Sequence, residues 1–234
     1  MSADVTTPLK ESALARLRQF DAGAIANAIE TFEVRLRNEG FTDGSIRATF
    51  PNLPPVVGYA ATARIRCSTP PITGQPYHDR TDWWNYILTI PSPRIVIVED
   101  VDERPGLGAF IGHVHANILQ ALGCVGFATN GSVRDLAAVE QIGFQLFAGS
   151  VGVSHAFVHI VDIGVPVKIA GLRVAPGDVV YGDRHGLLTI PLPIIDQLAD
   201  ATERLLAAQQ RIVDFCHAPN FSLDILRNMV RQRG

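Results

Sequence analysis

Residues 112–143 read GHVHANILQALGCVGFATNGSVRDLAAVEQIG. Gly112-His113-Val114-His115-Ala116 opens a helical segment over residues 116–122. Gly123 is placed to close it, because glycine takes the left-handed conformation of a helix C-terminus without strain. Val125 to Thr129 is a short apolar run of strand length. Asn130-Gly131-Ser132-Val133-Arg134-Asp135 reads as a turn into a second helix, Leu136 to Ile142, ended by Gly143. Helix, strand and helix with short connections predict an α/β layer.

The flanks extend this pattern. Lys10 to Phe20 reads as a short helix, and Asp21 stands where an N-cap would begin a second one, Ala22 to Phe32. Residues 38–55 are rich in turn formers and read as a long loop. Val56 to Ile65, VVGYAATARI, has the composition of a buried strand. Thr69 to Pro76 is a Pro/Gly turn region, after which Thr81 or Asp82 would cap a helix carrying Trp83, Trp84, Ile87 and Leu88. The strand at residues 95–98, IVIV, runs into Glu99, Asp100, Asp102 and Glu103, which read by default as a solvated loop. From Gln145 to Ile190 the chain is β-like, with turns at Gly171 and Pro176-Gly177-Asp178. A long helix is expected from about 193 to 216. No repeat or linker divides residues 1–234, so one domain is expected.

Composition narrows the function. Hydrophobic residues make up 47% of the 234, and charged residues only 18%, below the share of about 25% usual for globular domains. Such a chain has few charges for its surface, which points to subunit interfaces. The net charge of −3 argues against nucleic-acid binding, which needs a basic field. No apolar run approaches the roughly 20 residues of a membrane span, and Met1 to Lys10 lacks a signal-peptide pattern. Three cysteines, Cys67, Cys124 and Cys216, with no CxxC, fit a reducing cytoplasmic setting. Only two lysines occur, Lys10 and Lys168, and neither context suits a Schiff base. Carbonyl chemistry in this chain would therefore proceed without a lysine imine.

Two helix starts are candidate anion sites, since first-turn amides lack intrahelical acceptors. Gly112 lets a ligand approach the backbone closely. Arg134 has the fork to grip a carboxylate or enolate oxygen, and Asp135 the hard oxygens for a divalent cation. On the residues alone, capping plus a surface ion pair is an equally open reading of Arg134-Asp135.

The run G-H-V-H-A at 112–116, followed by G-F-A-T-N-G-S-V-R-D at 126–135, resembles the RraA-like family. That family contains the 4-hydroxy-4-methyl-2-oxoglutarate / 4-carboxy-4-hydroxy-2-oxoadipate aldolases and the regulator of ribonuclease activity A. Val57 to Ala63 resembles its "VGxAxT" strand, and Val165 to Pro191 its C-terminal strands. The resemblance covers roughly residues 12 to 215. It implies an α/β/β sandwich similar to the phosphohistidine swivelling domain, assembled as a homotrimer or homohexamer with sites at subunit interfaces. It implies a lyase dependent on Mg²⁺ or Mn²⁺ that cleaves a 4-hydroxy-2-oxo acid to pyruvate and a second oxo acid, and that also decarboxylates oxaloacetate. Gly112, His113, Val114 and His115 would hold the substrate carboxylate, Arg134 would stabilise the enolate, and Asp135 would hold the metal. A neighbouring subunit would lend an acidic residue. The alternatives implied are a non-catalytic regulator that binds a ribonuclease, and a lyase of the same scaffold acting on a sugar-acid-derived substrate.

Two departures stand out. His113 follows the loop glycine where the family has an acid, and His185 replaces the second acid of the turn Asp183-Arg184-His185-Gly186. His155 and His159 fall in a strand-like segment, where four residues span roughly 13 Å, too far for one ion. Trp83 and Trp84 would stack a ligand or fill an interface.

Overall fold

In the computed structural model, residues 9–71 and 80–231 are described. The expectations for residues 1–8, and for the part of the Thr69–Pro76 turn from 72 on, lie outside them.

β2 (Val56–Arg66) is buried along nearly its whole length, as a strand covered on both faces must be. Gly58 keeps it close to its neighbour, because a Cβ there would sit 2.7 Å from the Pro93 carbonyl oxygen. β3 (Arg94–Asp100), β5 (Cys124–Val133) and β6 (Gln145–Val151) lie parallel in the order β6-β5-β3-β2. β1 (Arg47–Ala48) pairs antiparallel with β6. β10 (Val179–Asp183) and β11 (Gly186–Ile190) form a hairpin that continues the sheet beyond β2. β4 (Ala109–Ile111) pairs with the far end of β5, and β7 (His159–Ile163) with the end of β2.

Helices cover one face of this sheet: α1 (Glu11–Leu17), α2 (Ala22–Glu30), α3 (Arg80–Thr89), α4 (His113–Ala121), α5 (Leu136–Gln141) and the first turns of α6 (Ile195–Cys216). Leu14, Ile25, Trp83, Leu119, Val139 and Leu198 pack there. The other face is covered by a hairpin of β8 (Val167–Ile169) and β9 (Leu172–Val174), whose Val167, Ile169, Leu172 and Val174 pack on Ala60, Ile95, Ile97 and Phe147. One helical layer, a sheet and a second β layer make the expected α/β/β architecture.

Asp21 caps α2 as expected, accepting from the Ala24 amide at 2.7 Å. Several expectations need correction. β5 does not end at Thr129. The Asn130 side chain exchanges two hydrogen bonds with the Asp100 backbone, and a bulge follows between Thr129 and Ser132. These keep the chain extended to Val133, so only Arg134 and Asp135 form the turn. Thr81 and Asp82 lie inside the first turn of α3 and do not cap it. His155 is in a loop and only His159 is in a strand. Trp83 is fully buried in the chain's own core, stacked on Tyr86. The loop over 38–55 contains β1. A last helix, α7 (Leu223–Arg231), was not anticipated, and it buries no residue.

Among the described residues no helix is long and apolar enough to cross a membrane.

Candidate active site

The chain leaves β5 through Arg134, whose amide donates to the Ile111 carbonyl at 3.2 Å and so ties the ends of β4 and β5 together. Asp135 then turns the backbone sharply, with φ 59° and ψ 37°. A non-glycine residue in this left-handed region is uncommon and stores strain, a pattern that clusters at functional sites. The turn starts α5, because the Asp135 carbonyl accepts from Ala138 and Val139. It also aims the Asp135 carboxylate at the start of α4, where Oδ2 accepts from the His113 amide at 2.9 Å.

Arg134 Nε lies 3.9 Å from the same Oδ2. Both side chains are partly open to solvent, at 35% for Arg134 and 43% for Asp135, so this ion pair contributes little to stability. Gly112 makes the convergence sterically feasible. Its φ of −142° suits any residue, but a Cβ would meet Asp135 Oδ2 at 2.4 Å and Arg134 Nε at 3.1 Å. The structure thus brings together Gly112, His113, Arg134 and Asp135.

The first turn of α4 divides its donors. The His113 amide is engaged by Asp135, whereas the amide of Val114 has no acceptor supplied by helix geometry. The positive end of the α4 dipole and Arg134 favour an anion at this point. The His113 side chain is exposed, and its carbonyl accepts from Asn117 Nδ2. His115 is half-buried and turns inward, with Nδ1 3.2 Å from the Phe110 carbonyl and its ring edge-on to Phe110. Exposed apolar side chains lie beside the site: Val114, 71% exposed, in the first turn of α4, and Val151, which pairs with Val133.

A second cluster stands at the end of β3. Ligand atoms of Cys67, Asp100 and Asp102 lie within 4.8 Å of one another, the one such group among the described residues. The expectation of a solvated loop fails for Asp100, which is buried at 2% exposed, and for Asp102, a half-buried residue whose side chain is only 4% exposed. Asp100 accepts from the amides of Gly106 and Asp102. Asp102 accepts from the Cys67 and Ser68 amides and the Ser68 hydroxyl. Burial pushes the Asp100 carboxyl up, with partial offset from the Gly106 and Asp102 amides. Burial works against ionisation of Asp102 too, but Ser68, Cys67 and Arg66 outweigh it and hold that carboxyl below its usual range. Burial raises the Cys67 thiol to about 12, so it is neutral at pH 7. These oxygens already have internal partners, and a cysteine sulfur is a soft ligand. The cluster anchors the loop that leads to β4, and its chemistry does not suit a hard cation.

The Asp135 carboxylate does suit one. Its Oδ1 makes no hydrogen bond among the described residues, and the side chain is 43% exposed, a fit for Mg²⁺ or Mn²⁺ retaining several waters. Three other described histidines lie elsewhere. His185 Nδ1 is 3.1 Å from Asp183 Oδ1 at the β10–β11 turn, where Asp183 also accepts from Ala22. His155 and His159 each contact a nearby backbone carbonyl. Cys67 and Cys124 are buried and Cys216 is exposed.

Comparison with known proteins agrees with this architecture. A protein of Halalkalibacterium halodurans, provisionally named a 4-hydroxy-4-methyl-2-oxoglutarate aldolase, is 32% identical over 101 residues, which cover 43% of this chain and 48% of that one. The match thus spans about half the length of that curated relative. An uncharacterized protein of Pseudomonas syringae pv. tomato superposes with a TM-score of 0.72 at 20% identity, covering 97% of this chain and 99% of its own. A Streptomyces coelicolor protein described as an unusual member of the RNase ES inhibitor RraA family superposes with a TM-score of 0.67 at 16% identity, over 87% of this chain and 96% of its own. These structural likenesses establish the fold. The family model described as RraA-like, Aldolase/RraA, matches residues 22–189, and the chain belongs to that family.

Proposed function

We propose that the chain is a divalent-metal-dependent lyase that cleaves a 4-hydroxy-2-oxo acid to pyruvate and a second oxo acid, and that also decarboxylates oxaloacetate. The observation that carries this reading is the convergence of Arg134 and Asp135 on the first turn of α4, with Gly112 keeping the space between them open.

The substrate carboxylate is bound at the start of α4, where the Val114 amide and the helix dipole favour negative charge. Arg134 holds the 2-oxo oxygen and stabilises charge as it develops there during C–C cleavage. Asp135 would hold a Mg²⁺ or Mn²⁺ ion, which when bound would supply Lewis-acid polarisation of the keto acid. The bond from His113 N to Asp135 Oδ2 fixes the carboxylate and leaves Oδ1 without a hydrogen-bond partner among the described residues. His113, exposed beside the site, is positioned to exchange a proton with the distal part of the substrate. The exposed apolar side chains of Val114 and Val151 are covered by a neighbouring subunit of a homotrimer or homohexamer, which excludes water from the site.

A coupled assay for pyruvate, run with Mg²⁺ and then with chelator, tests this. The reading expects metal-dependent release from a 4-hydroxy-2-oxo diacid or from oxaloacetate. No release from any of them would sink it. The second reading, a protein-binding regulator, draws on the fold shared with the S. coelicolor protein. Capture of a ribonuclease with lyase activity absent would favour it.

A further inference from the structure

A cavity of about 700 Å³ lies between the β8–β9 hairpin, the loop at residues 35–43 and the strands β10 and β11. β3 and β2 separate these strands from β5, and none of the lining residues belongs to the site at Arg134. Its walls are fastened. Asp43 N donates to the Ala170 carbonyl at the hairpin tip, and Thr189 N to the Gly40 carbonyl, both at 2.9 Å. Arg35 Nη1 donates to the Thr189 carbonyl at 2.7 Å and to Thr189 Oγ1 at 3.2 Å. A Cβ on Gly40 would overlap the Arg35 guanidinium, so that group is held under the loop.

The hairpin presents two cations to this cavity. Lys168 and Arg173 are cross-strand partners, and both side chains are exposed. Like charges placed opposite each other destabilise a β ribbon. Neither residue makes a hydrogen bond or ion pair among the described residues. The acids of the cavity, in contrast, have internal partners. Asp43 accepts from the Ser45 amide and hydroxyl, Asp178 accepts from the Ala175 amide, and Glu39 sits by Arg35. Two facing cations that form no ion pair among the described residues, on a wall that also holds Arg35, are a local cost, because the carboxylates lining the same cavity are directed to other partners. Such exceptions concentrate at functional sites.

We infer that this cavity is a second binding site, for a small anion carrying several charges, either a phosphate compound or a polycarboxylate. Lys168 and Arg173 grip the anion from the hairpin, and the Arg35 guanidinium supplies a fixed third charge. The site is independent of the lyase reading, and its failure would leave that reading untouched.

Calorimetric titration of the full chain in metal-free chloride buffer tests it, with pyrophosphate and citrate as probes for the two ligand classes. At least one probe binds. Lys168→Gln/Arg173→Gln weakens that binding by about tenfold or more, as for loss of charge-assisted contacts. Arg134→Ala leaves it unchanged. Without ligand, the double variant melts at or above the parent temperature, because the repulsion is relieved. Absence of binding by both probes, or equal binding by parent and double variant, would overturn the inference. So would a ligand-free double variant that melts several degrees lower or changes its mass in light scattering, since the two cations would then serve the fold or a subunit contact.

Discussion

Asp100 and Asp135 each follow a parallel strand of the same sheet, and their surroundings differ in every respect that decides what a carboxylate does. Asp100 ends β3, is buried, and has both oxygens bonded to the amides of the loop it anchors. Asp135 stands two residues beyond β5, is half-open to solvent, holds a left-handed backbone conformation, and has one oxygen hydrogen-bonded and the other not. Buried and fully bonded, the first contributes to stability. Exposed and half-bonded, the second is a surface ion pair of little energetic weight that gains its importance from what it faces. Burial and bonding, more than residue type, separate the structural acid from the candidate for function.

Substitutions at the site should break the contrast most visibly. Arg134→Ala is expected to lower kcat for pyruvate release by about 10²–10³-fold, the scale for removing a donor to a developing oxyanion. Its melting temperature should stay close to the parent's. Gly112→Ala should lose activity too, because its methyl group would push Asp135 aside. Equal activity with a large fall in stability would reverse the roles assigned to the two regions. Next in size, Asp100→Ala orphans the Gly106 and Asp102 amides, at a cost of about 2–4 kcal/mol. At about 2–4 °C per kcal/mol for a chain of this length, calorimetry should show a fall of roughly 5–15 °C.

The pH dependence sharpens the comparison within the buried cluster. Asp102 is held below its ordinary value of 3.8, so its contribution is present above that pH and is lost as pH falls through the depressed folded value. Asp100 is raised, so its contribution is full below 3.8 and is lost as pH rises through the folded value. The stability deficit of Asp102→Asn should therefore shrink in acid, and that of Asp100→Asn should grow, as read from melting temperatures between pH 3 and 7. Parallel profiles would contradict the assignment. The smallest effect concerns the thiols. Burial raises both Cys67 and Cys124 to about 12, so only Cys216 among the three should react quickly with a thiol reagent at pH 8. Rapid titration of a second thiol would show that the Cys67 cluster opens.

Much of the fold was legible because its signals are local. VVGYAATARI and IVIV have the composition of buried strands, Asp21 is a capping residue, and Gly123 and Gly143 end their helices at positive φ. The course of β5 past Thr129 was not, since it depends on Asn130 pairing with Asp100, thirty residues away. The burial of Asp100 and Asp102 escaped for the same reason: four acids in five residues look solvated until Ser68 and Gly106 are folded onto them. α7 carried a signal in the spacing of Leu223, Leu226 and Val230. At the candidate site, Gly112, Arg134 and Asp135 were visible by type and position. What sequence could not show was that Asp135 engages the His113 amide, while the next amide of α4 has no acceptor within the helix.

Crystals soaked with pyruvate and Mn²⁺ would test the central claim most directly, because the anomalous signal of the ion locates it independently of the ligand. The account predicts Mn²⁺ at Asp135 Oδ1 and pyruvate between the start of α4 and the Arg134 guanidinium. An ion bound among Cys67, Asp100 and Asp102, or pyruvate bound away from Arg134, would contradict it.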